Sequence, residues 1–184
     1  MAHVEYHARL EPPEAGDPFE RPLVVFGERR VRLHTNGLAR SFLETHEGDE
    51  PLKLLIYPRT LRGSYLADGS VLASAAEIKP TTRPPLFQIA GVLEHVDRDE
   101  GHIIVKVHPN PKSALGSSMV LDVCMSLELM DALPKKGEGV QLLGVLKPLT
   151  GCLVASKVKT VALAESWWEE RERKKVAAHE KKAA

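Results

Sequence analysis

In this chain of 184 residues, the string Tyr57-Pro58-Arg59-Thr60, followed by Leu61-Arg62, best fits a chemical task. An aromatic ring at a strand end can stack a nucleobase, and two guanidinium groups close behind it can hold phosphate. The competing reading is a strand stopped by proline, with both arginines paired to acidic neighbours in the first half. A second basic set lies later in the chain. Lys135, Lys136 and Lys147 flank one predicted strand, and Lys157 and Lys159 share a face of the next. Stacking aromatics are scarce there, because Phe87 is the one Phe, Tyr or Trp between residue 86 and the tail. That scarcity weighs against a stacking platform, since each stacked base is worth about 1–3 kcal/mol.

Other chemistry finds less support. The sequence has no phosphate-binding glycine loop, dinucleotide fingerprint or serine elbow, so no catalytic residue and no cofactor is expected. Cys124 and Cys152 stand 28 positions apart in apolar runs, which is not zinc spacing. They fit buried free thiols in a reducing compartment better than a disulfide framework. His3 and His7 have helical ligand spacing but fall in a predicted strand. His95 and His102 flank a turn and could face each other across it. The acidic turn Asp97-Arg98-Asp99-Glu100-Gly101 is too short for a calcium loop and fits a solvated hairpin tip. No metal site is expected.

The elements that would position these groups are mostly strands. Phe87 to Val96 and His102 to His108 form a hairpin, and Met119 to Met125 follows a Gly-Ser loop. Ser126 caps a helix from Leu127 to Leu133, stopped by Pro134. Strands at Val140 to Lys147 and Cys152 to Leu163 complete the half. In the first half the predicted strands are His3 to Leu10, Leu23 to Phe26 and Arg29 to His34. Thr35 or Asn36 caps a helix to Thr45, and strands follow at Leu52 to Tyr57 and Tyr65 to Ile78. Between the halves, Lys79 to Pro85 reads Lys-Pro-Thr-Thr-Arg-Pro-Pro, a stiff linker.

Three strands, a helix and two strands resemble the OB-fold, a five-stranded Greek-key barrel with its helix between strands three and four. An ungapped offset of 88 aligns the halves through their middles. Val31 falls on Met119, Leu33 on Leu121, Ala39 on Leu127, Phe42 on Met130, and Leu52 to Leu55 on Val140 to Leu143. The expected fold class is therefore all-β with short helices: two tandem OB-like barrels, residues 1–80 and 81–164, joined near 79–86. A charged C-terminal helix, 165–184, completes the chain. A single larger barrel or sandwich is the alternative. The resemblance implies binding of single strands across strands two and three, where Lys106, His108 and Lys112 fall.

Composition bounds the partners. Hydrophobic residues at 43% and charged residues at 27% suit a packed core rather than disorder. Net charge is zero, which argues against a general polyanion binder. The charge is unevenly placed, though, with six basic and ten acidic side chains in residues 1–50 against eight and five in 151–184. In the tail, Glu169–Arg173 and Glu170–Lys174 are helix-favouring pairs, and Trp167 and Trp168 offer a partner anchor or a cap on the barrel. Without a signal-peptide core or an apolar run of membrane length, the expected location is the cytoplasm. The expected function is a non-enzymatic binding protein, either a single-stranded nucleic-acid-binding factor or a protein-interaction subunit of a larger complex.

Overall fold

A computed structural model describes residues 2–46, 50–78, 86–108 and 118–162. Strand β1 (Ala2–Ala8) and the short β2 (Leu10–Glu11) are separated by Arg9 alone. The proline loop that follows is held by Asp17, whose carboxylate accepts from the backbone of Phe19 and Arg21 and pairs with the Arg21 guanidinium at 2.9 Å. Next come β3 (Leu23–Phe26) and β4 (Arg29–Thr35), then helix α1 (Gly37–Thr45). Asn36 caps α1, its side-chain oxygen accepting from the Ala39 N–H at 2.9 Å. The half ends with β5 (Leu52–Tyr57), a two-stranded hairpin of β6 (Thr60–Leu61) and β7 (Tyr65–Leu66), and β8 (Ser70–Glu77).

The second half contains β9 (Phe87–Asp97), β10 (His102–Val107), β11 (Met119–Cys124), the short helix α2 (Leu127–Met130), β12 (Gly139–Leu146) and β13 (Leu153–Thr160). Alternation along these strands decides which face goes inward. Phe87, Ile89 and Leu93 of β9, Ile103 and Val105 of β10, Leu121 and Val123 of β11, and Val140 and Leu142 of β12 are all essentially without solvent exposure. They enclose one core because the strands close on themselves. β9 pairs antiparallel with β10, β10 with β11, β13 with β12, and β12 with β9, while β11 runs parallel to β13 at Cys124 and Val154. The result is a closed, five-stranded mixed barrel. Two glycines let it close tightly. A Cβ at Gly91 would stand 2.3 Å from the Lys106 carbonyl oxygen, and one at Gly144 would stand 2.2 Å from that of Val154.

β1 carries the sheet out of the barrel. It pairs with β9 from Ala2–Ile89 to Val4–Phe87 and with β5 from Val4–Ile56 to Ala8–Leu52. From β5 the order continues β8, β4, β3, β2, with β8 and β4 parallel. The protein is thus mostly β with few helices, as expected.

Three local expectations need correction. The strand expected at 65–78 is two pieces, because Ser64 (φ 66°) and Gly69 (φ +83°) turn the chain and make β7 the arm of a hairpin. The second helix stops at Met130, since Ala132 and Leu133 bond three residues back rather than four, tightening the chain into turns before Pro134. The first helix is offset from the second by 90 residues at its cap, Asn36 against Ser126, so Ala39 corresponds to Leu129 rather than Leu127. The linker at 79–85 and the tail helix with Trp167 and Trp168 lie outside the described residues. Among the described residues, no helix is long and apolar enough to cross a membrane.

Candidate nucleic-acid interface

The outward side chains of β10 and β11 border a groove in part, at His102, Ile104, Val120 and Asp122. On β10 they are His102, Ile104 and Lys106, and on β11 Val120, Asp122 and Cys124. The hairpin β6–β7 from the first half lies over one end of this face. It is seated by backbone bonds from Leu66 N–H to Gly151 O (2.8 Å) and from Leu153 N–H to Ser64 O (2.9 Å). Arg29 reinforces the seat. Its guanidinium donates to Thr150 O and Leu66 O and lies 4.8 Å over the Tyr65 ring.

Asp122 is the polar centre of this contact. Its carboxylate accepts from the Ser64 hydroxyl (2.8 Å), the Gly63 N–H (3.2 Å) and His102 Nδ1–H (2.8 Å), while its own N–H donates to Thr60 Oγ1 (2.7 Å). Ser64 is fully buried, and Asp122 and His102 nearly so. His102 Nε2 stands 3.7 Å from Asp97 Oδ2. The carboxyl of Asp97 is held below its ordinary range, chiefly by the Glu100 N–H, with His102 and His95 adding their attraction against some burial.

Two clefts adjoin along the groove, sharing Thr60 and Val120. One of about 460 Å³ brings Arg62, His95, Asp97, His102 and Asp122 together beside Ile104. The other, about 290 Å³, holds Tyr57, Arg59, Gly69 and Val71 of the first half against Ser118 and Met119 of the second. Val120 between them is half exposed, an apolar floor. Tyr57, Arg59 and Arg62 are thus gathered opposite β10 and β11. β5 ends at Tyr57 directly before Pro58, as the competing reading has it, while among the described residues neither arginine forms an ion pair with a carboxylate.

The other expected binding residues divide. Lys106 stands on the β10 face, its ammonium 3.4 Å from Glu94. His108 reaches Ser118 at 3.0 Å, beside the smaller cleft. Lys157 and Lys159 are exposed on β13 opposite Leu143 and Gln141 of β12, and they do not line the groove. Lys112 lies outside the described residues. His95 and His102 line the same cleft but do not face each other across the hairpin, since His95 is opposite Ile104 and His102 opposite Asp97.

Sequence reasoning missed Asp122, Ser64 and Thr60. Asp122 alternates outward from Val-Leu-Asp-Val, a pattern that ordinarily means a solvated side chain, and only the hairpin from 60 residues upstream buries it. The cysteines also differ from expectation. Cys124 and Cys152 are only partly buried and adjacent, Sγ to Sγ 3.5 Å, because β11 and β13 are parallel neighbours. A wider cleft of about 870 Å³ lies between the proline loop and α1. Glu11, Glu14, Asp17, Glu20 and Glu44 line it together with Arg40 and His46, and Glu11, Glu14 and Asp17 are paired with Arg30, Arg32 and Arg21. No protein-family model and no curated protein matches the chain.

Proposed function

We propose that this chain is a non-enzymatic, single-stranded nucleic-acid-binding protein made of two OB-like barrels in tandem. The strand order of the second half supports the barrel type. It runs first, second, third, fifth, fourth and back to first, with its one parallel pair between third and fifth and a helix between third and fourth. The first half repeats that order if β1 and β2 count as one strand interrupted at Arg9: β3, β4 and α1 follow, then β5, and β8 runs parallel to β4. A duplication draws further support from register. The pairing slips between Leu55 and Ile56 in one half and between Leu143 and Gly144 in the other, 88 positions apart.

The observation that carries the function is the convergence of Tyr57, Arg59 and Arg62 on the face of the second barrel's second and third strands. That face is where OB-folds hold oligonucleotides. Tyr57 offers a ring to a base, and the two arginines offer phosphate contacts that an ion pair would otherwise quench. Fluorescence anisotropy of a labelled oligonucleotide across a salt series tests the reading. Arg59→Ala with Arg62→Ala should weaken binding and flatten the log–log salt slope by about 1.4, from ~0.7 per lost single-strand phosphate contact. Lys157→Ala with Lys159→Ala should change it less. Undetectable binding by the native protein at low salt overturns the reading.

A protein-interaction subunit is the second reading. It is favoured by Phe19, 63% exposed at the rim of the wider cleft. Trp167 and Trp168 would add a second anchor.

A further inference from the structure

Cys124 closes strand β11 and Cys152 opens the chain into β13, so a parallel pairing places two thiols from distant sequence side by side. Their sulfur atoms are 3.5 Å apart, and both side chains keep some exposure. Both also face one acceptor, the Gly63 carbonyl at the tip of the β6–β7 hairpin, at 4.0 Å from Cys124 and 3.7 Å from Cys152. No other cysteine exists in the chain. We propose that Cys124 and Cys152 form a reversible intramolecular disulfide, made by exchange with an oxidised low-molecular-weight thiol.

The chemistry needs only that co-reactant. The Cys124 thiol loses its proton to water and attacks one sulfur of the small disulfide, whose S–S bond breaks to release one thiolate. The Cys152 sulfur then attacks the mixed disulfide at the Cys124 sulfur, gives up its own proton, and expels the second small thiol. In sum, two protein S–H groups and one small disulfide become one protein S–S bond and two small thiols. The protein is oxidised by two electrons and the reagent reduced by two. Burial, then the neighbouring Cys124 and Asp122, push the Cys152 thiol up, and the exchange balances in the same way whichever of the two cysteines attacks first. A sulfur–sulfur bond is about 2.05 Å, so closure asks for a movement of roughly 1.5 Å. Cys152 lies just ahead of β13, directly after Gly151 (φ +69°), and its backbone is held by a bridge to Tyr65 and by the Lys147 N–H, so closure has to come from rotation of the two side chains or from a shift shared with the hairpin. Closure also removes both S–H donors from the Gly63 carbonyl, so the thiol state is felt by the hairpin. None of this depends on what the groove binds.

The test uses the native full chain equilibrated with mixtures of reduced and oxidised glutathione, then quenched, alkylated and weighed intact. The expected product is the monomer lighter by two hydrogens and carrying no alkyl label, restored to two labels by dithiothreitol. Half-oxidation should require a glutathione mixture at least ~10-fold more reducing for the folded chain than for the chain unfolded in urea, because native geometry raises the effective concentration of one thiol at the other. Cys152→Ser should instead stop at a single glutathione adduct on Cys124. A wild-type protein that retains glutathione adducts, forms covalent dimers, or oxidises no more readily folded than unfolded overturns the proposal, and those readings need no variant to fold.

Discussion

Replacing Asp122 by alanine would remove the acceptor for three donors at once. Two of them, the Ser64 hydroxyl and His102 Nδ1–H, belong to side chains that are buried or nearly so, and the third is the Gly63 N–H. A buried polar group left without a partner costs about 1–3 kcal/mol. The Ser64 hydroxyl can rotate toward another acceptor, and water from the adjoining cleft can reach His102, so the costs do not simply add. The expected loss is about 3 kcal/mol, a large share of the ~5–15 kcal/mol that stabilises a typical protein. Ser64→Ala removes one donor and leaves Asp122 two partners, so it should cost about 1 kcal/mol.

Urea melts of the native protein, both single variants and the double variant measure this directly. The two sites share a hydrogen bond, so a coupling of about 0.5–3 kcal/mol is expected between them. The midpoint should fall with the slope unchanged, because the surface exposed on unfolding is the same. An Asp122→Ala variant within about 0.5 kcal/mol of the native protein would refute the reasoning, since that is the range of ordinary surface substitutions. Such a result would mean that the carboxylate is solvated and that the hairpin does not sit on β11.

Gly144→Ala should destabilise by about 1–3 kcal/mol in the same melts, because the new Cβ would lie 2.2 Å from Val154 O and 2.6 Å from the Phe87 ring. Gly37→Ala, in the first turn of α1 with nothing within 4 Å, should be neutral or stabilising by up to about 1 kcal/mol. The Asp17 carboxyl, held at about 2 chiefly by the Arg21 guanidinium, should show that midpoint in a proton-resonance titration and return toward about 3.9 in Arg21→Ala. Since its folded value is depressed, its support of the proline loop is complete above the ordinary carboxylate range and is lost as pH falls toward about 2. Residues 86–162 expressed alone should unfold cooperatively, as a barrel closed by its own five strands can. An aggregating or unfolded fragment would mean that β1 and the β6–β7 hairpin are required parts of that barrel.

The legible parts of the fold are those written in local pattern. Leu52-Lys53-Leu54-Leu55-Ile56-Tyr57 is a β-favouring run bounded by Pro51 and Pro58, and its strand has the expected bounds. Asn36 and Ser126 are short polar side chains ahead of helical runs, and both cap their helices. What failed depended on backbone conformations that side-chain pattern does not encode. Residues 65–78 are apolar enough for one long strand, but a positive φ at Ser64, unusual for a residue with a Cβ, turns the chain into the hairpin, and a second at Gly69 separates β7 from β8.

The groove follows the same division. Tyr57, Arg59 and Arg62 could be singled out because their types are unusual together within six residues. Asp122, Cys124 and Cys152 could not, because each acquires its character from a neighbour 28 to 62 positions away. The hairpin accounts for both outcomes. It turns Arg62 toward the closed barrel of the second half, buries Asp122 under Ser64, and sets the Gly63 carbonyl against two thiols. The twelve-residue connection between β5 and β8, which carries the hairpin, therefore builds one wall of the groove and, together with the β1–β9 pairing, joins the two halves. Variation in that loop should alter binding and inter-half stability together, whereas variation in the β12–β13 turn should alter neither through the groove.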